Sequence, residues 1–270
     1  MTSYDLVGNI AIVKFPREFK KKEKKKFGEK LLKQHKNVKT VLEKSGKFSG
    51  RLRTLKTRYV AGEKNKEVLY KENGCVFRFN VDTCYFSPRL STEREEIAKQ
   101  VKRGEKVLVM FGGVGFYGIV IGKNSKIGKN GKIVSVELSR ECNKYALENA
   151  KRNKVSIEIV RGDVRKKVPF LKLSANSRGG RDSKFDRIVM PRPNLKDSFL
   201  DVAFSAIKKG GVIHYYGFYH EMEFKAGVLE ELIDFEARKA KKKVKILGVK
   251  RAGDIAPYKY RYRIDLKVLN

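Results

Sequence analysis

The chain has 270 residues, 63 of them Lys or Arg and 30 Asp or Glu, for a formal net charge of +33. A surface this positive attracts polyanions by releasing the counterions condensed along a phosphate backbone. Nucleic acid is therefore the favoured partner, with a Lys-rich proteome as the bland alternative. A membrane is disfavoured, because the basic residues are spread along the whole chain and no run approaches the ~20 apolar residues that span a bilayer.

The N-terminus lacks a basic run followed by an apolar core, so no signal peptide is expected and the protein is placed in the cytoplasm. Cys75, Cys84 and Cys142 are odd in number and lack metal-ligand spacing, and they read as buried thiols in a reducing compartment. The half-alternating, β-branched run 7–14 predicts a strand. A helix is expected from Pro16 to His35, its first half (17–26) a dense basic run. Short strands follow at Thr40–Leu42, Arg58–Ala61, Glu67–Glu72 and Cys75–Val81. They close a small basic α+β domain over residues 1–86. A helix covers Ser91–Val101, with Thr92 as its cap.

From residue 105 strands alternate with helices. Strands are expected at Val107–Phe111, Lys132–Leu138, Ser156–Arg161, Phe185–Met190 and Gly211–Tyr216. Between them lie a glycine turn with a short helix, the helix Arg140–Asn153, a Gly/Ser/Arg loop at 174–184 and the helix Leu195–Lys209. A helix Ala226–Lys242 follows, then two β-like segments, Val244–Lys250 and Tyr260–Val268. The alternation implies right-handed crossovers and a parallel sheet covered on both faces. The final β-β pair predicts an antiparallel edge. The fold class is α/β, a Rossmann-like domain with an antiparallel C-terminal edge over 87–270 behind the small α+β domain.

Ligands of such sheets bind at the carboxyl ends of the strands, near the switch point. There the first strand runs into Gly112-Gly113-Val-Gly115-Phe-Tyr-Gly118, where residues 113–118 match Gly-x-Gly-x-x-Gly. Backbone without Cβ lets a cofactor approach the helix N-terminus, which serves NAD and S-adenosylmethionine alike. Strand two ends in Glu137-Leu138, an acid suited to both ribose hydroxyls. Strand three runs into Gly162-Asp163-Val164, an acid suited to an adenine amino group. The second acid and the terminal β-β pair favour S-adenosylmethionine over NAD. The bland reading makes these residues turn glycines and helix-capping acids.

Tyr85-Phe-Ser-Pro-Arg-Leu-Ser-Thr-Glu-Arg94, Met110-Phe-Gly-Gly-Val-Gly115, Asp186-Arg-Ile-Val-Met190 and Gly210-Gly-Val-Ile-His-Tyr-Tyr216 carry a likeness over nearly the whole chain. It resembles the archaeal and eukaryotic tRNA (guanine-37 N1) methyltransferases, including the archaeal wyosine-pathway branch. The resemblance implies methyl transfer from S-adenosylmethionine to a purine beside the anticodon of tRNA, by a monomer. It implies Arg89 as the catalytic donor to O6, and Phe111, Gly113, Gly115, Glu137, Leu138, Asp163 and Val164 around the cofactor. Tyr117, Pro191, Arg192 and Pro193 are expected around the target base. Three departures stand out: Val109 replaces a common acid, Pro191-Arg192-Pro193 replaces Asn-Leu-Pro, and residues 123–132 offer no carboxylate base. Three other readings remain: a wyosine-pathway aminocarboxypropyl transferase, a non-catalytic tRNA-binding relative and an NAD oxidoreductase.

Overall fold

The computed structural model describes residues 2–46, 50–52, 54–171, 184–191 and 195–270. At the N-terminus, β1 (Ser3–Val7) and β2 (Ile10–Lys14) form an antiparallel hairpin. One strand was expected over 7–14, but Gly8 takes φ +58 and turns the chain with Asn9. Helix α1 (Lys21–Gln34) crosses to β3 (Thr40–Lys44), parallel to β2, and β4 (Thr57–Gly62) pairs antiparallel with β3. The helix starts at Lys21 rather than Pro16, because the residues between form a turn in which the Phe19 amide donates to the Pro16 carbonyl. Gly28 lets α1 lie close on β4, since a Cβ there would stand 3.0 Å from Ala61 and Val60.

A separate hairpin, β5 (Glu67–Glu72) and β6 (Cys75–Asn80), joins this unit to the rest. On one side Asn9 Oδ1 accepts from the Leu69 amide at 2.7 Å. On the other, Asn149 and Asn153 each bond both backbone groups of a β6 residue, Arg78 and Val76, at 2.7–3.0 Å. A predicted division at 86 assigns this hairpin to the N-terminal domain, yet its outer strand is bonded to the second unit. Helix α2 (Ser91–Gln100) follows a 3-10 turn at Pro88–Leu90, which makes Leu90 the cap residue; the expected cap, Thr92, lies inside the first turn.

The second unit is a seven-stranded sheet built from β7 (Lys106–Met110), α3 (Phe116–Asn124), β8 (Lys132–Glu137), α4 (Arg140–Asn153), β9 (Glu158–Arg161), α5 (Val164–Lys167), β10 (Phe185–Met190), α6 (Leu200–Ala206), β11 (Ile207–His220), α7 (Glu221–Lys225), α8 (Val228–Lys239), β12 (Val244–Ala256) and β13 (Lys259–Val268). Its order is β12-β13-β11-β10-β7-β8-β9, with β13 antiparallel to the parallel core and β12 antiparallel to β13. The α/β class and the antiparallel edge are as expected. Several elements differ from their predicted lengths. The helix expected over 195–209 shrinks to Leu200–Ala206, and β11 runs to His220 because β13 pairs with it as far as Lys259. The helix expected over 226–242 is α8, which starts at Val228 after Gly227 and ends at Lys239; the short α7 before it was not expected. All but the last residue of the expected 174–184 loop lies outside the described residues. No described helix is long and apolar enough to cross a membrane.

Behind the sheet runs a buried polar chain. The Arg187 guanidinium binds Glu105 and also donates to His214 Nε2 at 2.7 Å. Because a guanidinium only donates, Nε2 is the acceptor and Nδ1 donates to Asp265 at 2.7 Å. The ring is thus neutral, and its burial outweighs Asp265 to hold its pKa below the ordinary value. An unfolded chain takes up a proton near pH ~6.5 that the folded one refuses. Stability from this site is therefore complete above that pH and falls as pH drops below it. Denaturant titrations should show a loss of up to about 1.4 kcal/mol per pH unit on that limb. His214→Gln should flatten the limb while lowering stability at alkaline pH.

Candidate active site

The strand order reverses between β7 and β10, and a cleft opens at their carboxyl ends. The chain leaves β7 through Phe111, Gly112, Gly113, Val114 and Gly115 into α3. Phe111 has φ +59, a left-handed conformation costing roughly 1–2 kcal/mol for an L-residue. Its ring packs edge-on to Phe199 at 5.0 Å and forms part of the cleft wall. Gly113 (φ +56) also lines the cleft, and a Cβ there would meet nothing within 4 Å. Gly115, expected among the cofactor residues, does not line it. It caps α3 at φ +94, with a Cβ position 2.8 Å from Ile119.

Glu137 ends β8 in the cleft wall. Its Oε2 accepts from the Gly113 amide at 2.9 Å and its Oε1 from the Ser139 amide at 2.7 Å. Burial nevertheless pushes its carboxyl pKa up, as happens when a carboxylate is withdrawn from water. Leu138, Asp163 and Val164 complete this end. Asp163 is also a helix cap: Oδ1 accepts from the Arg165 amide at 2.9 Å, and Oδ2 holds the Arg51 guanidinium from the N-terminal unit. The cap and ligand readings of this acid are thus compatible.

At the other end the cleft is aromatic and basic. Tyr117 and Pro191 line it; Arg192 and Pro193 lie outside the described residues. Tyr117 is 4% exposed, and its hydroxyl lies near that of Tyr216 without a well-formed hydrogen bond. The Tyr216 hydroxyl donates to Glu93, which also binds Arg263 and Lys250. Ser87 and Leu90 line the cleft, but the Arg89 side chain between them does not. It is 67% exposed and 3.7 Å from Asp5 of β1. Val109 is buried inside β7, away from the cleft.

Several lining residues escape sequence reasoning. Arg51 comes from the N-terminal unit. Arg94 is neutralised by Glu72 and packs over Phe116 at 5.0 Å. Phe218 and Arg261 face each other across β11 and β13. One signal was available: Tyr216 and Phe218 alternate along one strand, had that strand been drawn long enough.

The TRM5/TYW2 methyltransferase domain model matches residues 68–247, and the TYW2 N-terminal domain model matches 1–65. The chain is 37% identical to the tRNA (guanine(37)-N(1))-methyltransferase Trm5b of Pyrococcus abyssi, over 99% of this chain and 75% of that protein. It is 35% identical to the tRNA (guanine(37)-N(1))/4-demethylwyosine(37)-methyltransferase Taw22 of Nanoarchaeum equitans, over 99% and 100%. Solved Trm5 structures, one in complex with tRNALeu and one from Methanocaldococcus jannaschii with adenosine, are each 29% identical. They match 99% of this chain and 72% of theirs, with TM-scores of 0.79 and 0.76.

The turn glycines separate strain from obstruction. Gly113→Ala should lower the unfolding free energy by about 1–2 kcal/mol, the backbone term alone. Gly115→Ala should cost more, since its methyl also collides with Ile119. Denaturant melts that reverse this ranking would show that the turn is held in another way.

Proposed function

Because this chain belongs to the TRM5/TYW2 methyltransferase family, we propose that it methylates N1 of guanine 37 in tRNA, using S-adenosylmethionine, as a cytoplasmic monomer. The tricyclic wyosine precursor at the same position is a second substrate, by likeness to the doubly named Nanoarchaeum relative. The observation that carries the reading is the cleft itself. One end has a buried carboxylate beside open glycine backbone, and the other has an aromatic, basic chamber.

The cofactor end fits a nucleoside. Glu137 spends one lone pair of each oxygen on backbone amides and keeps the others for ribose hydroxyls. Phe111, Leu138 and Val164 offer apolar contact to an adenine ring, and Asp163 Oδ2 is an acceptor that an adenine amino group would share with Arg51. S-adenosylmethionine supplies a methyl group on a positively charged sulfur. Tyr117 and Pro191 bound the space for the purine. Arg89, near the cleft and held among the described residues by an exposed ion pair of little strength, donates to O6 as charge develops there. The exposed lysines of α1, Lys21, Lys22, Lys25 and Lys26, bind tRNA phosphates without taking part in chemistry.

Incubation with tRNA and S-adenosylmethionine, followed by nucleoside mass spectrometry, should yield 1-methylguanosine from position 37. No transfer would sink the reading, and the mass of an aminocarboxypropyl group would replace it with the other transferase. Glu137→Ala should weaken S-adenosylmethionine binding by calorimetry about 10- to 100-fold, the worth of one charge-assisted hydrogen bond. Unchanged affinity would remove Glu137 from the ribose site. Arg89→Ala should lower the single-turnover rate at saturating tRNA about 10²–10³-fold with tRNA affinity nearly intact. Arg89→Lys should recover little, because an ammonium lacks the planar fork. A normal saturated rate would make Arg89 a phosphate contact.

A further inference from the structure

Three arginines border the cleft, and they differ in what neutralises them. Arg51 pairs with Asp163, and Arg94 with Glu72. Arg261 is only 8% exposed, yet no carboxylate among the described residues lies within ion-pair distance of it. Its contacts are the Tyr85 hydroxyl, to which it donates at 3.4 Å, and the Phe218 ring, 5.1 Å from its guanidinium carbon. The contrast is sharpest within β13. Arg263 shares the face of Arg261 two residues on and is bound by Glu93 at 2.8 Å and Glu96 at 3.0 Å. A cation withdrawn from water without a counter-charge is costly unless a ligand provides one. The unsatisfied Tyr117 hydroxyl lies in the same chamber, close enough to sense the Arg261 charge. Two buried donors lacking good acceptors therefore line one wall.

The position of Arg261 narrows the ligand. Between β13 and β8, which carries Glu137, stand β11, β10 and β7, four strand spacings of ~4.8 Å or ~19 Å in all. Arg261 thus serves the acceptor end of the cleft, away from the ribose carboxylate.

We propose that Arg261 is a further catalytic residue, which binds the exocyclic oxygen of the target purine and lowers the pKa of its N1–H. This rests on the methyltransferase reading above. The N1 proton then leaves to solvent, and the negative charge spreads to the oxygen beside Arg261. The N1 lone pair forms the N–CH3 bond as the S–CH3 pair stays on sulfur, leaving a neutral thioether. A site that acidifies its substrate needs no dedicated carboxylate base, consistent with the lack of any acid in residues 123–132.

The test is the pH dependence of single-turnover methyl transfer, at saturating tRNA and S-adenosylmethionine. The wild-type rate should rise with pH and level off at the apparent pKa of the bound purine. Arg261→Gln should move that limb upward by about 1–3 pH units, the usual effect of removing an opposite charge. Affinities for tRNA and cofactor should stay within a few-fold. Arg261→Lys keeps the charge and should hold the limb near its wild-type position, even where the rate falls. A uniform rate loss with an unmoved limb would overturn the proposal. So would weakened S-adenosylmethionine binding, which would assign Arg261 to the cofactor carboxylate, and so would a limb that moves equally in Arg261→Lys. Wild-type protein that methylates no tRNA would instead defeat the reading on which this rests.

Discussion

The buried ion pair between Arg94 and Glu72 is the contact on which the cleft depends. Their side chains are 3% and 1% exposed, and the guanidinium meets both carboxylate oxygens at 2.5 Å. Two charges taken this far from water are strongly favourable only in such a bidentate arrangement, and removing either alone leaves the other stranded. The same guanidinium donates to the Ser87 carbonyl and faces the rings of Phe86, Phe116 and Tyr117. One side chain thereby fixes the end of the β5–β6 hairpin, the segment before Arg89 and the first turn of α3. The latter two each contribute a wall of the cleft.

The hairpin is held by amides from both directions. Asn149 and Asn153 lie four residues apart on α4, so they share a face and meet alternate residues of β6. Each presents a carbonyl and an amino group to a strand edge that would otherwise be open, in place of a neighbouring strand. Asn9 does the same for β5, while Gly8 makes room, since a Cβ there would stand 2.1 Å from the Leu69 carbonyl. The N-terminal unit, with its lysine-rich helix, is therefore joined to the sheet by geometry-specific hydrogen bonds. Arg51 then reaches the cleft from that unit, touching Asp163.

Much of this was legible from residue order. The strands at Glu67–Glu72 and Phe185–Met190 and the helix Arg140–Asn153 have the predicted bounds, because their periodicity and caps are local. What failed depended on distant partners. Residues 7–14 read as one strand because Gly8-Asn9 interrupts an apolar alternation that continues on both sides. Residues 207–209 read as helix because the strand β10 that recruits them is not visible locally. Phe111, Gly113, Glu137, Leu138, Asp163 and Val164, which line one end of the cleft, were legible because they follow strand ends by rule. The acceptor end was found only in part, because Phe218 and Arg261 are 43 residues apart and meet through strand register alone.

Charge acts here on two scales, and salt tells them apart. The net charge of +33 resides mostly on exposed side chains, where attraction to phosphate is screened within a Debye length of ~8–10 Å and weakens steeply as salt rises. The buried cations, Arg94, Arg187 and Arg263, are matched by Glu72, Glu105 and Glu93, and salt reaches them little. Those pairs are compensated locally, whereas Arg261 and, toward the other end, Glu137 line the cleft without an ion-pair partner among the described residues. A protein this basic would otherwise hold any anion at its reaction centre. Among the described residues every buried arginine but Arg261 has a carboxylate partner, so attraction to phosphate is left to the exposed surface while the proposed contact of Arg261 acts inside the cleft.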